Sequence, residues 1–122
     1  MSTANHRHER VGEEIAHEIN AMLAGELKDP RLEGSVVVSE VRVQPDMRHA
    51  RVFVNVRGPA KEQEDAIRAL EHACGFIRSE LVERLRLRRT PELHFALDHS
   101  QEHAERIDQL LKQMHKDKSS AP

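Results

Sequence analysis

The sequence predicts an α+β fold in one domain, in which helices cover one face of a small mixed sheet. The chain has 122 residues, the size of a single compact domain. Apolar residues recur at helical spacing in some segments and alternate with other residues elsewhere, in the order α-β-β-α-α-β-α. Two adjacent strands and a third that follows a pair of helices fit a three-stranded sheet with helices on one face.

The first helix is expected over residues 8–27. Its apolar stripe keeps to one helical face and consists of Val11, Ile15, Ile19, Met22, Leu23 and Leu27. Asp29 precedes Pro30, and a residue before proline is disfavoured in helical backbone. The helix therefore ends near this point.

Two strands in an antiparallel hairpin are expected next. Residues 35–43 are rich in β-branched side chains and predict a strand with Val37, Val41 and Val43 on one face. Residues 44–47 predict a turn. The inward face of the second strand consists of Ala50, Val52, Val54 and Val56. The short connection favours antiparallel pairing with the valines toward the core.

A pair of helices is expected after the hairpin. Pro59 suits the first turn of a helix over 60–73, and Gly75 interrupts the helical pattern before a second helix over 76–87. The two helices meet at the bend Ala73-Cys74-Gly75, which we describe as an A-x-G bend.

A third strand and a last helix complete the predicted domain, which spans residues 1–115. Leu93, Phe95 and Leu97 alternate in the strand, and Asp98 or Ser100 caps the helix. The apolar face of that helix consists of Ala104, Ile107, Leu110, Leu111 and Met114. Residues 116–122 are expected to form a flexible polar tail.

The composition excludes several classes of protein. No apolar run exceeds the four residues 21–24, far short of a membrane span or a signal peptide, so a soluble cytoplasmic protein is expected. The single cysteine, Cys74, cannot form an internal disulfide. Only 2% of the residues are aromatic, which argues against an RNA reader built on stacking rings. The five glycines form no phosphate-binding loop, and neither a cofactor nor a metal is expected.

The strongest enzyme-like pattern is His99-Ser100-Gln101-Glu102-His103, which matches the H-x-x-E-H motif of a group of zinc hydrolases. It places two imidazoles at i and i+4 on one helical face. Such a site needs a third protein ligand, as a rule well downstream, and only 19 residues follow His103. A small zinc hydrolase using His99 and His103 is an alternative, and a protein without enzymatic activity is the favoured interpretation.

The net charge of −2 conceals a basic segment over residues 76–91. Two glutamates and five arginines give this segment a charge of +3, and the arginines are Arg78, Arg84, Arg86, Arg88 and Arg89. If the helix persists, Arg78, Arg86 and Arg89 share a face rotated away from its apolar stripe. The exposed N–H groups at the start of this helix suit a phosphate. The distribution of charge therefore favours contact with a nucleic-acid backbone.

The predicted order of elements resembles the bacterial arrangement of the KH module, the type II order, in which a helix-bend-helix clamps nucleic-acid backbone. The bend of that module is usually G-x-x-G, and here it is A-x-G. This departure is typical of one family, and the sequence from about Arg7 to His115 resembles ribosome-binding factor A. The matching stretches are Lys28-Asp29-Pro30-Arg31, Val38-Ser39-Glu40-Val41 with Asp46, Ala50-Arg51-Val52-Phe53-Val54, Ala73-Cys74-Gly75-Phe76-Ile77-Arg78, Leu85-Arg86, Pro91-Glu92-Leu93-His94-Phe95 and Asp98-His99-Ser100.

The resemblance implies a non-enzymatic assembly factor that binds the free or immature 30S ribosomal subunit and its 16S rRNA. It implies a role in late maturation of that subunit and in processing of the 5′ end of 16S rRNA, with particular importance in the cold. The implied partners are the small subunit, its ribosomal proteins and, functionally, assembly GTPases. A monomer without a membrane partner is expected.

The expected RNA-binding residues lie at the bend and in two basic groups. The backbone of Ala73, Cys74 and Gly75 is expected to approach the RNA closely. The phosphate contacts are expected from Arg78, Arg84, Arg86, Arg88 and Arg89. A second basic patch is expected from Arg7, Arg10, Lys28 and Arg31.

A helix-turn-helix DNA-binding protein is a further alternative, because that class also has a glycine between two helices and a basic second helix. Glu71, however, stands four residues before Gly75, where that class typically has a small residue.

Overall fold

Within the described residues, four helices and three strands form the fold. The computed structural model describes residues 6–33 and 36–119, so Ser35 of the first predicted strand lies outside the described residues. The elements are α1 (Arg7–Gly25), β1 (Val36–Val43), β2 (His49–Val56), α2 (Ala60–His72), α3 (Cys74–Leu85), β3 (Glu92–Leu97) and α4 (Ser100–Ser119), with a 3-10 turn at Pro30–Leu32. The central strand β2 pairs antiparallel with β1 and parallel with β3. The predicted α+β class, element order and mixed sheet are confirmed.

The core lies between one face of the sheet and the helices α1, α2 and α3. α1 packs on β1, while α2 packs on β2 and β3. The largest fully buried aliphatic side chains of the helices are Ile15, Ile19, Met22, Leu70, Ile77 and Leu81. The inward residues of β2 are the four that the sequence predicted, from Ala50 to Val56 at alternate positions.

A β-bulge in β1 changes the expected pattern of the first strand. The buried residues of β1 are Val36, Val38, Val41 and Val43. The register shifts between Val38 and Glu40, which leaves Ser39 as an extra residue without a partner in β2. Val37 is 55% exposed. The prediction that Val37 shares a face with Val41 and Val43 assumed unbroken alternation and is wrong.

The ends of α1 and α3 differ from the predicted boundaries. α1 ends at Gly25, two residues early, because the N–H groups of residues 26 and 27 both donate to the carbonyl of Met22. α3 starts at Cys74 and ends at Leu85, because Arg86 adopts left-handed backbone with φ 52°. The predicted common face of Arg78, Arg86 and Arg89 therefore does not form.

The last helix extends further than predicted and exposes its apolar face. α4 continues to Ser119, since residues 116–119 contain neither proline nor glycine, while residues 120–122 lie outside the described part of the chain. The predicted apolar side chains Ile107, Leu110, Leu111 and Met114 are each at least 45% exposed. None of the helices in the described residues has the length and apolar character needed to cross a membrane.

Gly12 allows α1 to lie directly against β1. A Cβ atom at this position would stand 2.5 Å from the carbonyl oxygen of Val41, a backbone atom that cannot rotate away. We expect Gly12→Ala to lower the free energy of unfolding by about 1 to 3 kcal/mol, because overpacking displaces backbone. Urea unfolding followed by circular dichroism measures this effect. Gly25→Ala is the matched control, since nothing lies within 4 Å of its added Cβ; equal losses in both variants would contradict the prediction.

Asp98 joins the start of α4 to β1. Its carboxylate accepts hydrogen bonds from the backbone N–H of Ser100, at 2.8 Å, and from the hydroxyl of Ser39. Hydrogen bonds from Ser100 and Ser39 lower the pKa of Asp98 from 3.8 to about 2. A carboxylate whose pKa is lowered by folding stabilises the fold above its ordinary pKa, and this contribution is lost as the pH falls through the folded value.

The stabilisation by Asp98 is therefore expected to depend on pH. At neutral pH the urea midpoint of the unmodified chain should exceed that of Asp98→Asn, and the difference should close between about pH 4 and pH 2. Parallel urea titrations at several pH values measure it. A difference that stays constant over this range would show that the charge of Asp98 contributes nothing.

Candidate nucleic-acid interface

A cleft lined by arginines lies where α1 begins, where β1 turns into β2, and where α3 leads into β3. Its volume is about 450 Å³, and it is lined by Arg7, Asp46, Met47, Arg48, Arg86, Leu87, Arg88 and Arg89. We term it the arginine cleft. It unites four of the predicted site residues, which are Arg7, Arg86, Arg88 and Arg89.

Two turns with unusual backbone shape this cleft. Met47, in the β1–β2 turn, and Arg86, at the end of α3, have φ angles of 64° and 52°. They are the only non-glycine residues with positive φ in the described ranges. Left-handed backbone is costly for residues with a side chain and persists only where the surrounding structure holds it. The N–H of Glu92 donates to the carbonyl of Arg48 at 2.8 Å, which joins the β1–β2 turn to the start of β3.

The electrostatics of the cleft suit an anion. Across the described residues, none of its five guanidinium groups lies within ion-pair distance of a carboxylate. Asp46 is the only acidic residue of the lining, and one of its carboxylate oxygens accepts from the backbone N–H of Arg48 at 3.0 Å. The forked donors of arginine match the oxygens of a phosphate group. The cleft can therefore bind phosphates.

Arg84 lies outside this cleft and ties α3 to α1. It donates to carboxylate oxygens of Glu18 at 3.3 Å and Glu80 at 3.1 Å, and it also hydrogen-bonds Glu26. The hydrogen bond with Glu26 is the largest of several effects that raise the pKa of Arg84. Three carboxylates compensate its charge, so the geometry does not support the predicted phosphate contact at Arg84.

Arg78 also stabilises the fold. Its Nη2 donates to the carbonyl of Thr90 at 3.2 Å, and the hydroxyl of Thr90 donates to the carbonyl of Arg78 at 3.1 Å. These two bonds fold the loop after α3 back onto that helix. The side chain is half-buried and does not line the arginine cleft.

The second predicted patch is divided between the two ends of α1. Arg7 is the first residue of this helix, whereas Lys28 and Arg31 follow its last residue. A helix of 19 residues is about 28 Å long, so these residues cannot form one patch. Arg10 is exposed on α1 and does not line the cleft. The expectation of a single second patch is wrong because a whole helix separates its members.

The bend between α2 and α3 borders a separate hollow of about 430 Å³. Ala73 and Phe76 line it from the bend, and Lys28 and Asp29 line it from the segment after α1. The bend and the arginine cleft lie at opposite ends of α3, whose 12 residues span about 18 Å. Ala73, Cys74 and Gly75 are therefore remote from the cleft arginines.

Two side chains beside this hollow have little capacity for chemistry with a ligand. Arg31 donates to both carboxylate oxygens of Asp29, at 2.7 and 3.1 Å, and these bonds lower the pKa of Asp29 to about 2. The charge of Arg31 is thereby compensated. Cys74 is half-buried, and burial raises the pKa of its thiol, which keeps it protonated and unreactive.

Arg48 is a cleft residue that the sequence did not single out. The available signal was the net positive charge of residues 34–57, which contain four arginines and two acidic residues. Nothing in the turn itself shows that it reaches the loop before β3. The predicted pair His99 and His103 is not tested, because the side chain of His103 lies outside the described residues.

Comparisons with known proteins point to one family. The family model of ribosome-binding factor A matches residues 7–111. A ribosome-binding factor A from Thermomicrobium roseum is 46% identical over 93% of this chain and 88% of its own length. The crystal structure of ribosome-binding factor A from Thermus thermophilus is similar with a TM-score of 0.60 and 32% identity, over 78% of this chain and 94% of that one.

A further similarity concerns a complex. Coordinates of a Thermus thermophilus ribosome-binding factor A homology model, fitted into a cryo-EM map of a 30S complex, match with a TM-score of 0.56 and 29% identity, over 79% of this chain and 96% of that one. The shared architecture is KH-like, as the order of elements predicted.

Replacing Arg86 by glycine separates backbone strain from charge. Glycine adopts positive φ without a steric penalty, so Arg86→Gly should raise the free energy of unfolding by about 1 kcal/mol. Arg88→Gly removes the same charge at a residue without positive φ and should be neutral or destabilising. Urea unfolding of both variants measures the difference. If Arg86→Gly proves no more stable than Arg88→Gly, the left-handed turn is not strained.

Proposed function

The chain belongs to the ribosome-binding factor A family, and from this premise we propose that it binds the free or immature 30S subunit through phosphates of 16S rRNA at the arginine cleft. The observation that carries the proposal is the convergence of five arginines from three segments on one concavity. The similar protein from Thermus thermophilus that was fitted into a 30S complex supports the small subunit as the target.

The cleft favours recognition of RNA backbone over recognition of bases. None of the described residues that line it is aromatic, and aromatic rings are the usual platforms on which bases stack. Phosphate contacts position a protein without reading sequence. Selectivity then comes from the shape of folded rRNA. The hollow beside the bend, with Lys28 and the 47%-exposed Phe76, offers a second contact about 18 Å away.

The proposal extends to the consequence of binding. A protein that binds the mature arrangement of rRNA more tightly than the immature one shifts the population toward maturity. In this way a cytoplasmic, monomeric chain without catalytic activity promotes late 30S maturation and 5′-end processing of 16S rRNA. Cold adaptation and a functional link to assembly GTPases belong to the same proposal, on the strength of the family resemblance alone.

The helix-turn-helix alternative fits the geometry poorly. A recognition helix needs basic side chains on its own exposed face to enter a major groove. In this chain Arg78 and Arg84 of α3 are bonded within the fold, and Arg86, Arg88 and Arg89 lie beyond its end.

Replacing Arg86, Arg88 and Arg89 together by Gln tests the proposed contact. We expect the triple variant to lose co-sedimentation with purified 30S subunits at moderate salt. The slope of log K against log salt should fall by about 2 to 3, since each lost phosphate contact removes about 0.7 to 0.9. Filter binding to 30S subunits over a series of salt concentrations gives both quantities.

A triple variant with the same loss of charge elsewhere is the matched control. Arg57, Arg68 and Arg106 are exposed and lie outside the cleft, so their replacement by Gln should leave the salt slope nearly unchanged. Equal weakening in both triple variants would mean that net charge, rather than the cleft, determines binding. Unchanged binding by the cleft variant, with its fold intact, would refute the proposal.

A further inference from the structure

Two histidines and a glutamate lie together on the face of the sheet opposite the helices. His49 begins β2, and Glu92 and His94 belong to β3. In the parallel ladder His49 pairs with Glu92, and His94 stands two residues further along. Because side chains alternate along a strand, all three share one face. Their neighbours Ala50 and Leu93 point the other way and are buried in the core.

The distances within this group are close to those between the ligands of one metal ion. Nδ1 of His49 lies 3.1 Å from Nε2 of His94 and 3.7 Å from a carboxylate oxygen of Glu92. One ligand atom from each residue lies within 4.8 Å of the other two. In a tetrahedral site with bonds of about 2.0 to 2.2 Å, ligand atoms stand about 3.3 to 3.6 Å apart. The first two distances bracket this spacing, so only small side-chain movements separate the group from a coordinating geometry.

We propose that His49, Glu92 and His94 bind a divalent transition-metal ion such as Zn²⁺, with water in the remaining position. Two imidazoles and a carboxylate form a ligand set that Zn²⁺ and its neighbours in the first row accept. In the metal-free chain the two facing nitrogens share a hydrogen bond that one of them donates. In the metal-bound form both are unprotonated, so His49 carries its proton on Nε2 and His94 on Nδ1. Arg51 stands opposite His94 in the ladder, and the carboxylate of Glu92 offsets half of the charge that the divalent ion adds to this face.

The surroundings of the group make the site accessible and preorganised. The side chains of His49 and Glu92 are 44% and 61% exposed, so an ion reaches them without any opening of the fold. Their backbones belong to paired strands, which hold ligands more closely than loops do. The ion would connect β2 to β3 and therefore bind the folded state preferentially, which raises thermal stability. None of its three ligands lines the arginine cleft.

Titration of the untagged chain with ZnCl₂ tests the proposal, with isothermal calorimetry as the measurement and visible absorption of Co²⁺ as a second readout. We expect one ion per chain and an increase in the melting temperature on Zn²⁺ addition. Mutation of a residue that only hydrogen-bonds a metal ligand lowers metal affinity about 10- to 100-fold. The substitutions His94→Gln and Glu92→Gln remove a ligand itself, so each should weaken Zn²⁺ binding by at least about tenfold. Both residues are exposed, and neither substitution removes core packing.

The matched control removes His99 and His103, the two histidines of the H-x-x-E-H pattern. The double variant His99→Gln/His103→Gln should bind Zn²⁺ with the affinity of the unmodified chain. The proposal is overturned if the unmodified chain binds no more tightly than His94→Gln, or if binding is lost in the double variant instead. Binding lost only on substitution of His94 or Glu92 establishes the site on the sheet.

Discussion

The β-bulge at Ser39 is the constraint on which the rest of the structure depends. In a continuous strand, side chains alternate without interruption, so β1 could direct inward only one of its two valine pairs, 36 and 38 or 41 and 43. The extra residue lets both pairs face the core. Asn20 of α1 stabilises this distortion, because its amide accepts from the N–H of Val38 at 2.8 Å and donates to the carbonyl of Val38 at 3.0 Å. The hydroxyl of Ser39 donates to Asp98, which holds the bulge against the end of β3.

The position of α1 on β1 in turn determines where the cleft forms. Gly12 brings the helix close to the carbonyl of Val41, and Arg84 fastens α3 to α1 through Glu18 and Glu26. With the two helices fixed, the start of α1 lies beside the loop that follows α3, so Arg7 joins the arginines of that loop. The arginine cleft is therefore a consequence of helix packing, although none of its charged residues contributes to the core.

The class and order of the elements could be predicted because the apolar spacing of the helices and of β2 is regular. The bulge could not, because three successive valines at 36–38 are compatible with either face being inward. The end of α3 at Leu85 could not be predicted either, because residues 85–89 contain neither glycine nor proline. That end is set by contacts across the chain, among them the two bonds between Arg78 and Thr90. Contacts between distant parts of the chain are also why the prediction included Arg78 in the site and omitted Arg48.

The division of arginines between paired and unpaired groups explains how a chain with a net charge of −2 presents a basic surface. Arg31, Arg42 and Arg84 each donate to carboxylates within the fold, which compensates their charge. Two of the carboxylates that pair with Arg84 are 58 and 66 residues away, so the count of charges along the sequence does not reveal the pairing. Compensated arginines attract a polyanion weakly, whereas unpaired arginines in a concavity reinforce one another. Attraction for phosphates is therefore concentrated at the cleft, and the near-neutral total reduces binding elsewhere on the surface.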